Sequence, residues 1–298
     1  MSRPEPLPVY DRTAGRLIQE FMEDAPTTYE TRPRRSFNQL LESYPLYDWL
    51  VALRQNTRSS AKKIDPFIRK HGIDMSEFKP VIYRSYAEFF DREFRPGVRE
   101  FPKEPRVMGA FAEARYFGWK QLDSTKKLPV KDHSLAPAAL LGSEERARPF
   151  RGGPVLLARL SPMDYHHVHY FDDGRTAGQH RLGYRLWTVN WPALQNKPDI
   201  LFRNERSIHF LETKNFGRLA FVEIGALSVG RIVQMHRVEK PFMRGDEKSM
   251  FKFGGSAIVA FGEPGRWVPS DDIVAHTHEN VEVLVRLGDE VARAGGGS

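Results

Sequence analysis

Phe251-Lys252-Phe253-Gly254-Gly255-Ser256-Ala257-Ile258-Val259-Ala260-Phe261 is the stretch on which the rest of the chain hinges. From Ala257 to Phe261 every residue is apolar, as in a short strand bounded by turn residues. Two glycines precede the run and a serine stands at its mouth. Working outward, Val155-Leu156-Leu157-Ala158-Arg159-Leu160 and Leu219-Ala220-Phe221-Val222-Glu223-Ile224 have the same character. After Pro102 such runs are separated by Gly, Pro and Asp, and Gly225-Ala226-Leu227-Ser228-Val229-Gly230 reads as a close-packed bend between two of them.

Upstream the pattern is helical. Leu40, Tyr44, Tyr47 and Val51 recur at helical spacing, with Pro45 splitting the run. Phe67, Ile68, His71 and Ile73 follow, and Tyr86 to Phe94 places Phe89, Phe90 and Phe94 near one face. Residues 1–35, rich in Pro, Arg and acids, read as a mobile arm with one short helix at Leu17, Ile18, Phe21 and Met22. The expected fold class is α+β: a helical N-terminal section, residues 36–100, packed on a mostly β catalytic body, residues 101–294. Residues 295–298, Gly-Gly-Gly-Ser, are set aside as a linker scar.

Composition narrows the partners. Lys and Arg number 45 against 38 acids, a surplus of +7 that suits lipid headgroups, nucleic acid or an acidic protein. Solubility alone accounts for so modest a surplus equally well. Nucleic acid is set aside, since no zinc-finger spacing, RNP-like aromatic motif or helix-turn-helix signature is present. No apolar run reaches the roughly 18 residues needed to span a bilayer. The first residues lack the apolar stretch of a secretion signal. The expected location is cytoplasmic, with peripheral contact to the inner membrane. The absence of cysteine excludes disulfides, thiolate catalysis and cysteine-ligated metal.

Gly254-Gly255-Ser256 on its own is an ordinary turn. Its chemistry emerges from the second unusual stretch, Asp164-Tyr165-His166-His167-Val168-His169. If this segment is extended, His167 and His169 share one face and His166 takes the other. A metal site and a purely structural role are the rival readings. Neither a cysteine nor an H-E-x-x-H pattern supports metal, nothing fixes His276-Thr277-His278 nearby, and none is expected. A general base for Ser256 is the better fit. The serine hydroxyl can attack the Gly255 carbonyl in an N-to-O acyl shift, which glycines permit by letting the backbone bend. Elimination from the resulting ester leaves dehydroalanine, which hydrolyses to a pyruvoyl group and ammonia.

Over residues 64–265 the chain resembles the phosphatidylserine decarboxylase family. Phe67 to Glu77 and Tyr86 to Gly97 are similar to the family's entry segment, and Ser134-Leu135 to Leu140-Leu141-Gly142 to its S-L-x-x-L-L-G element. Phe216-Gly217-Arg218 to Val222-Glu223-Ile224-Gly225-Ala226 resembles its glycine-bounded β unit. Gly245-Asp246-Glu247-Lys248 to Ser256 resembles its G-x-E-x-G-x-F-x-F-G-G-S block, and the D-Y-H-x-x-H segment makes a fifth block in order.

The resemblance implies a proenzyme that cleaves itself between Gly255 and Ser256, leaving a chain of residues 1–255 and its own short chain, 256–298, held without a covalent link. Its cofactor is the pyruvoyl group derived from Ser256. By motif position His169 activates Ser256 during maturation and His166 manages proton transfer to the substrate, which reacts through a Schiff base. The family's P-A-D-G or P-A-D-S element is here Phe111-Ala112-Glu113-Ala114-Arg115, so Glu113 takes the place of the aspartate that orients the maturation histidine. Ala257, Ser249 and His167 also stand where Thr or Ser, Gly and Arg are usual. The implied activity is conversion of phosphatidylserine to phosphatidylethanolamine at an anionic membrane surface. The alternatives are decarboxylation of free, including aromatic, amino acids, and a non-catalytic homologue that binds acidic lipid. A homodimer is a family-level expectation.

Overall fold

The apolar run at 257–261 forms a strand at the centre of the molecule. A computed structural model describes residues 8–19, 53–121, 137–183, 200–225, 232–252 and 256–295. Numbered in chain order, the strands are β1 (Pro8–Asp11), β2 (Arg16–Gln19), β3 (Val107–Gly109), β4 (Ala114–Trp119), β5 (Val155–Leu160), β6 (His167–His169), β7 (Gly174–Leu182) and β8 (Arg206–Thr213). They continue as β9 (Gly217–Ile224), β10 (Ile232–Gln234), β11 (Glu247–Phe251), β12 (Ser256–Gly262), β13 (Trp267–Pro269), β14 (Glu282–Val285) and β15 (Glu290–Ala294). Nine form one sheet in the order β2-β1-β14-β4-β5-β12-β9-β8-β7. β12 lies between β5 and β9, antiparallel to both.

Every residue of β12 is buried because both faces of the sheet are covered. Ala257, Val259 and Phe261 join Phe117, Leu157 and Val222 on one face, under Leu140, Leu141 and Leu201 from short helices. Ile258 and Ala260 join Leu156, Ala158 and Phe221 on the other. Two three-stranded sheets, β10-β11-β6 and β13-β15-β3, cover that second face with Ile232, Phe251, Val168, Trp267 and Val291. A strand packed on both faces needs no polar alternation, hence the unbroken apolar run.

Residues 8–19 differ from the expected helical arm. They form an antiparallel hairpin whose first strand adds to β14 in parallel. Val9 is buried in the sheet, and the turn closes with Gly15 at φ 62° and Ala14 N donating to Asp11 Oδ1 at 3.0 Å. Arg12 then reaches across to both Asp272 oxygens, at 2.8 and 2.9 Å, and to Glu290 O at 2.6 Å. These long-range contacts override the local periodicity of Leu17 and Ile18. Phe21, Met22, the expected helices around Leu40 to Val51 and the bend at 226–230 lie outside the described residues.

Residues 53–100 are helical in pieces: Arg58–Lys63, Ile64–His71, the short turn Met75–Glu77, and Tyr86–Phe90. The last begins at Ser85, whose Oγ accepts from Glu88 N at 3.2 Å, an N-cap. It stops at Phe90 instead of running to Phe94. Phe94 pairs with Phe78 in an isolated bridge, their rings stacked at 4.6 Å, so a neighbour sixteen residues away decides its place. Just outside these helices, Phe78 packs against Tyr165 and Leu287, and Arg92 donates to the carbonyls of Met163 and Asp164.

Candidate active site

Ser256 opens β12 opposite Leu160, the last residue of β5. From there the chain turns through Ser161–Asp164. The Asp164 carboxylate closes that turn by accepting Ser161 N at 2.6 Å, and the buried Arg115 guanidinium neutralises it. The chain then enters β6, which pairs with β11 so that His167 faces Met250 and His169 faces Glu247. His166 O accepts Phe251 N at 3.0 Å. The histidine strand is thus hydrogen-bonded to the strand that ends five residues before Ser256, and Ser256 itself is paired beside the turn that leads to the histidines. The serine is buried, and among the described residues its Oγ has no hydrogen-bond partner.

Tyr165, His167 and His169 stack on one side of β6, with ring centroids 4.6 and 6.0 Å from Tyr165, and Val168 turns into the core, as alternation in an extended segment requires. His169 Nδ1 lies 2.9 Å from Gly245 O and Nε2 lies 3.4 Å from Tyr165 OH. A carbonyl can only accept, so Nδ1 carries the proton and Nε2 is left as the acceptor. Burial holds the imidazole below the ordinary histidine range, partly offset by the Gly245 contact and Glu247. His169 is therefore a neutral base at pH 7. His167 is tied between Glu247 Oε1 at 2.5 Å and Asp91 O at 3.3 Å. His166 is fully buried, donates Nδ1–H to Asp164 O at 2.9 Å and packs its ring 4.0 Å from that of Phe90.

The expected pairing of Glu113 with His169 is replaced by one with Arg99. Arg99 donates to Glu113 Oε2 at 2.7 Å and Oε1 at 3.1 Å, and grips Glu77 with its other edge. A guanidinium fork satisfies a carboxylate with two bonds where an imidazole offers one. Glu113 also accepts Leu287 N at 3.3 Å. Its segment nonetheless meets the histidine strand, since Phe111 O accepts His169 N at 2.8 Å. Gly255 lies outside the described residues. Sequence reasoning missed Gly245 O as the partner of His169 and Phe90 as the cover of His166. A cavity of about 800 Å³ opens beside His169 and Tyr165, with Arg99, Lys214, Arg244 and Glu247 on its walls. Among the described residues no group of three or more His, Asp or Glu is placed to hold a metal ion, and no helix is long and apolar enough to cross a membrane.

Comparison with known proteins places this scaffold. The family model described as phosphatidylserine decarboxylase matches residues 86–293. The chain is 33% identical over 279 residues to the phosphatidylserine decarboxylase proenzyme of Ruminiclostridium cellulolyticum, covering 93% of this chain and 91% of that one. It is 32% identical over 263 residues to phosphatidylserine decarboxylase proenzyme 2 of Clostridium acetobutylicum, covering 88% and 89%. With the proenzyme of Chlamydia caviae it shares 29% over 268 residues, covering 89% and 90%. The chain belongs to the phosphatidylserine decarboxylase family, and its reaction class is that of the decarboxylases. The relatives' names specify phosphatidylserine, and the free amino-acid alternative gains no support from them.

Proposed function

We propose that the chain is a proenzyme that cleaves itself between Gly255 and Ser256, and that the matured form converts phosphatidylserine to phosphatidylethanolamine with a pyruvoyl group at residue 256. The observation that carries this reading is Ser256 Oγ, buried and without a hydrogen-bond partner among the described residues. Leaving a buried hydroxyl unpaired costs about 1–3 kcal/mol. Such a group calls for a use, and attack on the preceding carbonyl supplies one. His169 Nε2 is the acceptor for the hydroxyl proton, with Nδ1–H held by Gly245 O. Glu113, through Arg99, steadies the segment whose Phe111 carbonyl fixes the His169 backbone. The pyruvoyl ketone supplies the electron sink for loss of CO2. His166, oriented by Asp164 O and Phe90, returns the proton to the substrate carbon.

Docking on an anionic bilayer is part of the proposal. Between Leu53 and Arg84 eight exposed cations face three acids, a surplus of five within a whole-chain surplus of seven. Val81 and Ile82, in the same section, are 56% and 93% exposed. Cations near an anionic surface contribute about 1 kcal/mol each.

Intact mass of the purified protein under denaturing conditions tests the proposal. Two species are expected, one ending at Gly255 and one beginning with a pyruvoyl group in place of Ser256, and Ser256→Ala should remain one chain. Incubation of the matured protein with phosphatidylserine vesicles should then release CO2 and phosphatidylethanolamine, with no amine formed from free serine or tryptophan. A single full-length species from the wild type overturns the reading.

A further inference from the structure

Outside the histidine strand the interior holds a second cluster of charged and polar groups. Glu223, on β9, is fully buried, and so is Lys248, on β11. Glu223 Oε1 accepts from Lys248 Nζ at 2.8 Å and from Ser249 Oγ. Its Oε2 accepts from Gln234 Nε2 at 2.8 Å, and His209 Nε2 lies 3.7 Å away. Lys248 Nζ also donates to Gln234 Oε1 at 3.2 Å. One carboxylate thus binds β9 to β10 and β11, and lies beside His209 of β8.

We infer that the Glu223–Lys248 pair is a positioning device for self-cleavage at residue 256, an inference that rests on the self-cleaving reading above. The first support is place. Glu223 is paired across the ladder with Ile258, two residues beyond Ser256, so the two side chains share a sheet face as diagonal neighbours, with backbones about 7–8 Å apart. The second is a break in regularity. The register of β11 against β6 shifts between Glu247 and Ser249. A regular strand turns only one of two successive side chains inward, yet here Lys248 and Ser249 both reach Glu223. The irregularity increases the number of bonds that hold this strand to β9.

β11 leads into the scissile bond and β12 leads out of it. β9 grips both, through Glu223 on one and the ladder on the other. For the serine Oγ–carbonyl bond to form while the carbonyl–nitrogen bond breaks, the two flanks must be held in near-attack register. Stability is a weaker explanation, because a buried ion pair is often no better than apolar side chains of similar volume. A second catalytic centre is weaker still. Ser207 Oγ lies 2.9 Å from His209 Nε2, but burial, with Lys248 adding to it, pushes that histidine down to about 3, too weak a base to activate a hydroxyl.

The test compares cleavage rates of freshly made precursor, read by intact mass, with melting temperatures of the same samples. Lys248→Met and Glu223→Gln should each slow cleavage at least about tenfold. The apolar pair Glu223→Leu with Lys248→Met should melt near the wild type and still cleave at least about tenfold more slowly. Lys248→Arg, which retains the charge, should recover cleavage to within about threefold. An apolar pair that cleaves at the wild-type rate overturns the inference and leaves the self-cleaving reading intact. A wild type that never cleaves removes both. If the apolar pair fails to fold, half-buried Gln234→Ala decides: it should melt normally and cleave severalfold more slowly, and an unchanged rate overturns the inference.

Discussion

At the residue scale, burial governs how the ionisable groups behave, and each has a sign that can be checked. At Glu223 burial raises the carboxyl pKa, but Lys248, His209 and the hydroxyl of Ser249 outweigh it and hold the group below its usual range. At His209 burial acts with Lys248, and the ring falls to about 3. The unfolded chain therefore takes up a proton at His209 below about pH 6.5, while the folded chain takes none until near 3. Stability attributable to this residue is intact above that window and declines as pH falls through it, by at most about 1.4 kcal/mol per pH unit. His209→Leu should flatten the decline of the urea midpoint between about pH 6 and pH 4. His169 is depressed chiefly by burial as well, so its basic form persists to lower pH than that of an ordinary histidine. The rate of self-cleavage should hold its plateau from pH 8 to below about 6.5 before falling. A midpoint above that value would exclude His169 as the base, and His169→Ala should leave the precursor uncut.

At the scale of elements, legibility followed the range of the forces involved. Val155–Leu160, Leu219–Ile224 and Ala257–Phe261 were readable because a doubly covered strand writes its burial into consecutive apolar residues. The shared face of His167 and His169 was readable because a period of two is geometry. Residues 8–19 were misread because their strands, four residues each, carry too few turns of pattern to outvote a chance helical spacing, while the contacts that decide them come from Asp272 and β14. Glu113 is legible as a carboxylate of its segment, but its partner Arg99 is a tertiary choice that no spacing reveals. Gly245 O and the bonds of Lys248 escaped for the same reason. The central strand also carries an energetic prediction: Ile258→Ala should cost about 2–5 kcal/mol in urea unfolding, since Ile258 is fully buried between packed layers.

At the scale of the whole molecule, the products of the proposed cleavage are interleaved. Residues from 256 onward supply β12 between β5 and β9, β14 between β4 and β1, and β15 against β3. Arg159 on β5 donates to both Glu282 oxygens, at 2.7 and 2.6 Å, with both side chains buried, and Arg12 crosses to Asp272. The segment's seven acids and three arginines oppose the basic remainder. Glu282→Gln, which strands Arg159 without its counter-charge, should destabilise the protein by about 3–5 kcal/mol in denaturant titration. The two chains of matured protein should co-elute in native buffer and separate only in the transition that unfolds the sheet. The hairpin at residues 8–19 closes this arrangement, because the earliest described strand of the long chain runs alongside one of the last strands of the short chain. A matured molecule is then a single-issue object. Should its ketone be consumed in a side reaction, no fresh short chain can be threaded in, and lost activity returns only through synthesis of a new precursor.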